Sequence, residues 1–318
     1  MELDFLRHSQ LFRDNGPPAD QRIAMITDFV AEVRKALDGK KGKRRWLGVR
    51  IPLDGSAHPP LGLDVRKLYA AGVDMFNLSG WYNTTQHTDA AKVRELVPHA
   101  AIYVEMTHTT GRNRHFHTRD HAYGTSPFPR TSDRQFYTTA RLAYERGADG
   151  VSLFNFVYYR MIRKGVVDYR EPPFHVLPKL TDREFLATQP PYYWLGDTRY
   201  DRHDDRQIPR TLRKGRSERF RMDMLPVENA ARLRLRIHAR EGVADRQISA
   251  AVNGLKLTPT ADVSAFYDNP FDRMVSPDDK HRRAWTIPAE RIRDGINEIS
   301  LKLESGHSLK VVWIDVGV

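Results

Sequence analysis

Two stretches of the chain, Ala70-Ala-Gly-Val-Asp-Met-Phe-Asn-Leu and Ala143-Tyr-Glu-Arg-Gly-Ala-Asp-Gly-Val-Ser-Leu-Phe, follow one grammar: a helix, a glycine stop, then a buried strand. The pattern runs through the first 165 residues. Leu3 to Leu6 read as a short strand. Asp20 to Leu37 read as a helix, with Ile23, Ile26, Phe29, Val30, Val33 and Leu37 at helical spacing and Gly39 as its stop. A basic loop, Lys40 to Arg45, leads to a strand at Trp46 to Ile51. Then come a helix at Asp64 to Ala71, a strand at Val73 to Leu78, a helix at Asp89 to Val97 and a strand at Ala101 to Met106. A long loop reaches Arg130, a helix covers Thr131 to Arg146, and a fifth strand covers Val151 to Phe156. Strand and helix alternating through short connections predict parallel strands with crossover helices, in a barrel or in a doubly wound sheet.

The grammar changes near Pro172. Residues 172 to 210, rich in Pro, Tyr, Arg and Asp, read as an irregular connector. Period-two segments follow. Leu233, Leu235 and Ile237 alternate with Arg232, Arg234, Arg236 and His238, which predicts a half-buried strand with an arginine outer face. Ile248 to Val252, Leu255 to Leu257, Trp285 to Pro288, Ile296 to Leu303 and Leu309 to Val316 read as further strands, with turns at Asn253-Gly254 and Asp294-Gly295. The expected architecture is α/β: a partial (β/α)8-type barrel over residues 1–185, a connector over 186–210, and an antiparallel β-sandwich over 211–318.

Of 318 residues, 40% are hydrophobic, enough for real cores, and no apolar run is long enough to span a membrane. The acidic start, Met1 to Phe5, does not read as a signal peptide, so a cytoplasmic protein is expected unless an upstream segment is missing. The absence of cysteine excludes disulfides, thiolate metal sites and cysteine nucleophiles, without deciding the compartment. The formal net charge is +11, but the arginines are interleaved with acids and form no compact basic block. Nucleic acid is therefore not the expected partner; an acidic polysaccharide would use the same charge. Neither a phosphate-binding glycine loop nor a nucleophile elbow is present, and no cofactor is expected.

Barrel chemistry sits at the C-terminal ends of strands. Glu2 and Asp4 share one face of the first strand. Glu105 lies near the end of its strand with Tyr103 and Thr107 on the same face. A carboxylate within an apolar strand is costly unless paired or functional. Two carboxylates across a barrel mouth suit glycosidic cleavage, one protonating the leaving oxygen and the other attacking or activating water. The competing reading is a structural pair between Glu105 and Arg50 on the neighbouring strand. Trp81 and Tyr82 would stack on sugar rings, and Arg50, Asn77, His108 and Arg112 would bind hydroxyl or acidic groups. Among the loop histidines, His108, His115, His117 and His121, the spacing His115-Phe-His117 occurs in metal sites, but no pattern such as H-E-x-x-H accompanies it; a sugar-contacting or general-base histidine is the expected role and no metal is expected.

The segment Met1-Glu-Leu-Asp-Phe-Leu-Arg-His-Ser resembles the fourth barrel strand of family-ten-like glycosyl hydrolases of bacteria. Leu47-Gly-Val-Arg-Ile-Pro, Val73-Asp-Met-Phe-Asn-Leu-Ser, Ile102-Tyr-Val-Glu-Met-Thr and Gly150-Val-Ser-Leu-Phe-Asn-Phe would match strands five to eight. The resemblance implies an acid/base at Asp4 or Glu2 and a nucleophile at Glu105. Ile287-Pro-Ala-Glu-Arg-Ile-Arg-Asp-Gly-Ile-Asn-Glu-Ile resembles the closing strands of accessory jelly-roll domains in carbohydrate-active enzymes. Strands one to three have no counterpart, so either the chain is truncated, a homodimer completes the barrel, or the sheet stays open. The expected function is glycoside hydrolysis of a polysaccharide; the alternative is a non-catalytic carbohydrate-binding or assembly protein with an incomplete barrel.

Overall fold

The computed structural model describes residues 1–6, 11–13, 15–111, 130–163, 166–169, 171–198, 207–227, 233–268 and 279–318. The chain is mixed α/β, one five-stranded sheet with parallel pairing and further antiparallel sheets, and it divides into two compact units.

The first unit comprises Met1–Trp81, His87–Met106 and Ala143–Phe154. Its strands are β1 (Glu2–Asp4), β2 (Gly48–Pro52), β3 (Met75–Ser79), β4 (Ala101–Thr107) and β5 (Gly150–Phe154), side by side in sequence order. The pairings from β1 to β4 are parallel, with Asp4 opposite Arg50, Arg50 opposite Asn77, and Ser79 opposite Glu105. The helices are α1 (Ala19–Asp38), α2 (Val65–Ala70) and α3 (Ala90–Leu96), joined by the last turn of α4 (Asp133–Glu145), whose residues before Ala143 belong to the second unit. Val49, Ile51, Phe76, Leu78, Ile102 and Val104, one face of the sheet by strand alternation, form a single apolar cluster with Val30 of α1, Leu68 of α2, Val93 of α3 and Ala143 of α4. Burying each such side chain is worth about 1.5–3 kcal/mol. In α1 the buried positions are Val30 and Arg34, whereas Phe29, read as part of the apolar stripe, is half exposed.

The repeated grammar has a physical basis. Asp74, just before β3, accepts from the Leu47 amide at 2.9 Å. It is also bound by Arg34 of α1 and by Arg44. Asp149, just before β5, accepts from the Ile102 amide at 2.8 Å and is bound by Arg94 of α3. In each case an arginine from the helix before one strand grips the aspartate that opens the next. The preceding glycine makes room: a Cβ on Gly72, at φ 99°, would lie 2.5 Å from the Arg34 side chain, and one on Gly147, at φ 85°, would lie 3.5 Å from that of Arg94.

The second unit comprises Tyr82–Gln86, Thr107–Leu142 and Asn155–Val318. Its elements are β6 (Arg160–Arg163), β7 (Val166–Tyr169), α5 (Arg183–Thr188), β8 (Tyr192–Leu195), β9 (Arg210–Leu212), β10 (Ser217–Met224), β11 (Leu233–Ala239), β12 (Gln247–Val252), β13 (Leu255–Lys256), β14 (Thr258–Thr260), β15 (Arg282–Ile287), β16 (Gly295–Ser305) and β17 (Leu309–Gly317). Four strands are ordered β10-β16-β12-β13, five are ordered β14-β15-β11-β17-β8 with β9 also on β17, and β6 pairs with β7. Residues of both larger sheets, among them Phe220, Leu235, Ile237, Trp285, Leu301 and Ile314, share one apolar cluster. Where an irregular connector is expected, the chain forms α5 and β8, because Tyr193 and Leu195 face that cluster as Tyr192 and Trp194 face the other side.

One expectation here is overturned. Arg236 and His238 are not an outer face; they are 3% and 0% exposed. The reason is Asp315, opposite Arg236 on β17. Its carboxylate accepts from Arg236 Nε at 3.1 Å and Nη2 at 2.7 Å, from the Tyr192 hydroxyl at 2.8 Å and from Trp313 Nε1 at 3.2 Å. Although burial raises its pKa, Arg236 and His238 outweigh that and hold the carboxyl well below the usual range. The Phe266 ring stacks on the guanidinium of Arg236, which lies 4.9 Å from its centroid.

Candidate functional site

Strands of a parallel sheet usually read as near-continuous apolar runs because both faces are buried. β2, β3 and β4 do not. Val49 and Ile51 point to the apolar cluster, so Arg50 points the other way, and the same alternation turns Asn77, Ser79 and Glu105 to that second face. This face is polar, and its centre on β2, β3 and β4 is closed to water while Glu2 and Asp4 of β1 are exposed. Arg50, Asn77, Ser79 and Glu105 are 3%, 8%, 2% and 4% exposed. Charges so placed must satisfy one another.

Arg50 is the centre. Its Nε donates to Glu105 Oε2 at 2.8 Å and its Nη2 to Oε1 at 2.7 Å, a two-pronged pairing. Nη1 donates to both oxygens of Asp4 at 3.1 and 3.2 Å. Nη2 also donates to Ser79 Oγ at 3.0 Å and to the Trp81 carbonyl at 3.3 Å. The Phe154 ring of β5 lies 4.4 Å from the guanidinium carbon. Arg50 and Glu105 stand two strands apart, not on neighbouring strands; the arginine is long enough to cross β3.

Glu105 is surrounded by donors. Besides Arg50, Oε1 accepts from Ser79 Oγ at 2.5 Å and Oε2 from Asn77 Nδ2 at 3.3 Å. Asn77 Nδ2 also donates to Glu2 Oε1 at 3.0 Å, while its Oδ1 accepts from Ser152 Oγ of β5 at 2.8 Å. Both ends of the amide thus have the partner type they need, which fixes its orientation. Asp4 also accepts from the Leu6 amide at 2.9 Å. Three carboxylates, Glu2, Asp4 and Glu105, meet through one arginine and one asparagine.

Burial pushes the Glu105 carboxyl above its ordinary pKa, with the hydrogen bonds and charge of Arg50 and the Ser79 hydroxyl pulling the other way. Burial lowers the Arg50 pKa, but the hydrogen bond and charge of Glu105, with Asp4, outweigh it and leave the guanidinium raised. Trp81 stands at the rim with φ 67°, a left-handed conformation uncommon for a bulky residue. It is held there by its amide, which donates to Ser79 Oγ at 3.0 Å, and by Arg50 on its carbonyl. Strain of this kind costs about 1–3 kcal/mol and persists only where the surroundings enforce it.

Glu2, Asp4, Arg50, Asn77, Glu105 and Trp81, all candidates from the sequence, lie in this network. Tyr82 and His108 belong to the second unit. The Tyr82 carbonyl accepts from Thr107 Oγ1 at 2.7 Å and from Thr109 Oγ1. His108 is buried, with its ring edge-on to those of Tyr158 and Tyr159 at 5.6 and 6.4 Å. Arg112, His115, His117 and His121 lie outside the described residues. Among the described residues, no group of three or more His, Asp or Glu is arranged to hold a metal ion. Sequence reasoning missed Ser79, Ser152 and Phe154. Ser79 shares the face of Asn77 two residues on, and Ser152 and Phe154 alternate likewise on β5, so period-two reading of the polar face would have found all three.

No family model matches the chain, and no curated protein matches it. Among solved structures, a beta-porphyranase of glycoside hydrolase family 86 from the human gut bacterium Bacteroides plebeius aligns with 96% of this chain and 75% of its own, at 10% identity and a TM-score of 0.28. Wild-type BuGH86 in complex with neoagarooctaose aligns with 95% of this chain and 68% of its own, at 9% identity and a TM-score of 0.27. Superpositions of that quality carry no argument about this chain, and the site rests on its own geometry.

Proposed function

We propose that the protein is glycosidase-like and acts on a polysaccharide, with the parallel sheet as the later strands of a (β/α) barrel and the antiparallel sheets as an accessory β-sandwich. The observation that supports this reading is the meeting of Glu2, Asp4 and Glu105 on the polar face of a parallel sheet, beside the constrained Trp81. Glycosidic cleavage requires one carboxyl to protonate the leaving oxygen and another to attack the anomeric carbon or activate water. In this reading Glu105, ringed by donors that suit an anion, is the nucleophile or base. Asp4 or Glu2, nearer to solvent, is the acid. Trp81 offers a ring face to a sugar, and Arg50 orients both carboxylates. The edge strand β1 pairs on one side only among the described residues, and a second copy pairing there is the assembly this reading favours.

One observation favours a second reading. The four donors on Glu105 occupy about all the lone-pair positions a carboxylate has. It attacks nothing unless a donor withdraws, and the 3.3 Å bond from Asn77 is the weakest candidate to do so. If none withdraws, Glu105 only anchors Arg50 and the face binds carbohydrate without cleaving it. Reducing-end release on a panel of neutral and acidic polysaccharides separates the two. Hydrolysis predicts release by the wild type and at least a hundredfold loss in Glu105→Gln, with folding confirmed by thermal unfolding. Binding without release on every glycan sinks the hydrolase reading and leaves the second.

A further inference from the structure

A second feature lies far from these carboxylates in the sequence and belongs to the second unit. The turn between β9 and β10 carries Arg213, Lys214 and Arg216, all exposed. β10 continues with Arg219 and Arg221 exposed, alternating with the buried Phe220 and Met222. Cross-strand from Ser217 stands Lys302 of β16. Arg213, Lys214, Arg216 and Arg221 have no side-chain hydrogen bond or ion pair among the described residues. Arg219 reaches Glu298 only at 3.7 Å, and Lys302 pairs with Glu304 at 2.7 Å. Among the described residues, two carboxylates, Glu298 and Glu304, therefore accompany six cations on this turn and on one face of β10 and β16.

The backbone under these cations is braced. The Gly215 amide donates to the Leu303 carbonyl at 2.8 Å, and the Arg216 amide closes the turn on the Arg213 carbonyl at 3.0 Å. Gln207 grips the backbone of Arg221 from both sides, its Nε2 donating to the carbonyl at 2.7 Å and its Oε1 accepting from the amide. A braced backbone spares its share of the ordering cost when an extended anion docks, leaving the exposed side chains free to adapt to it. Self-repulsion among unpaired like charges costs stability, so an anionic partner relieves it.

We propose that this turn and face bind an acidic polysaccharide, independently of what the Arg50 face does. Arginine forks match sulfate and carboxylate groups with two parallel hydrogen bonds. Between the cations stand Ser217 and Ser300, hydrogen-bonded to each other at 2.7 Å, and Ser249, which donates to Glu304 at 2.7 Å; their oxygens keep lone pairs that can accept from sugar hydroxyls. The same face of β10, β16 and β12 offers no aromatic ring among the described residues, whereas binding of single-stranded nucleic acid relies on stacked aromatics.

The test measures retention on dextran sulfate, polygalacturonate, neutral dextran and single-stranded DNA, across a salt series. The wild type is expected to bind both acidic polysaccharides, more weakly as salt rises, and not the neutral one. Arg213→Ala/Lys214→Ala/Arg216→Ala, all surface changes, is expected to bind at least tenfold more weakly with a shallower salt slope and an unchanged Tm. A control, Lys40→Ala/Lys41→Ala/Lys43→Ala, removes the same charge from the exposed loop after α1 and is expected to bind like the wild type. Equal weakening in the control assigns the binding to net charge and overturns the proposal. So does unaltered binding by the first variant, absence of binding to both acidic polysaccharides, or tighter binding to DNA than to either.

Discussion

Arg50 serves acceptors on β1, β3, β4 and Trp81, two residues beyond β3, so its removal strands more than one charge. Breaking a buried ion pair from one side costs about 3–5 kcal/mol, because the partner left behind is buried without compensation. Arg50→Met is therefore expected to destabilise by about that amount in urea titrations. Arg50→Met/Glu105→Leu is expected to be less destabilised than Arg50→Met alone; a double variant no better than the single one would show that Glu105 is not the stranded charge. His108 belongs to the same scale. Burial, with a smaller push from Arg130, drives its pKa down from 6.5 to about 3. The folded state thus prefers the neutral ring. Its contribution is complete above pH 6.5, the unfolded value, and is lost as pH falls towards about 3. Between pH 6.5 and 5 the loss is about 2 kcal/mol. In His108→Gln, unfolding measured at pH 7 and pH 5 is expected to show a correspondingly weaker acid dependence than the wild type. Asp4, Glu2, Glu105 and Arg50 were legible individually, from period two and from the cost of charge in a strand. That Arg50 crosses β3 was not, because side-chain reach between non-adjacent strands leaves no mark on the sequence.

At the scale of elements, the helix–glycine–strand grammar was readable, but its cause was not. Arg34, Gly72 and Asp74 form one brace, Arg94, Gly147 and Asp149 the other, and the arginines sit 38 and 53 residues before their glycines. The two glycines differ in the room they leave, 2.5 Å against 3.5 Å for an added methyl group. Gly72→Ala is expected to cost about 2–3 kcal/mol, from left-handed strain plus displacement of Arg34, and Gly147→Ala about 1–2 kcal/mol from strain alone. Equal Tm losses in the two would show that the Arg34 contact does not matter. The strands β11, β12, β15, β16 and β17 fall where alternation and Asn-Gly or Asp-Gly turns place them. Alternation alone misjudged Arg236 and His238, since it separates two faces without saying whether the second is wet. Only the pairing of β11 with β17, distant in sequence, brings Asp315 to them.

For the whole molecule, two separate apolar clusters stand behind two units, each interrupted in sequence by the other. Native-state hydrogen exchange is expected to be slowest in β2, β3 and β4 and in β11, β16 and β17, whose inward side chains are buried throughout. β1, with Glu2 and Asp4 exposed and one hydrogen-bonded neighbour, is expected to exchange faster than β2; protection equal to that of β2 would indicate a partner on its outer side. The aspartate braces add one last consequence. Asp74 and Asp149 tie the starts of β3 and β5 to an amide at the start of the strand before each, Leu47 and Ile102. The stagger that brings Arg50 level with Asn77 is thus set three residues upstream on each strand, as a scale is zeroed at one mark and read at another. A substitution at the Asp74 anchor would retune the spacing of Arg50 and Asn77 without replacing either of them.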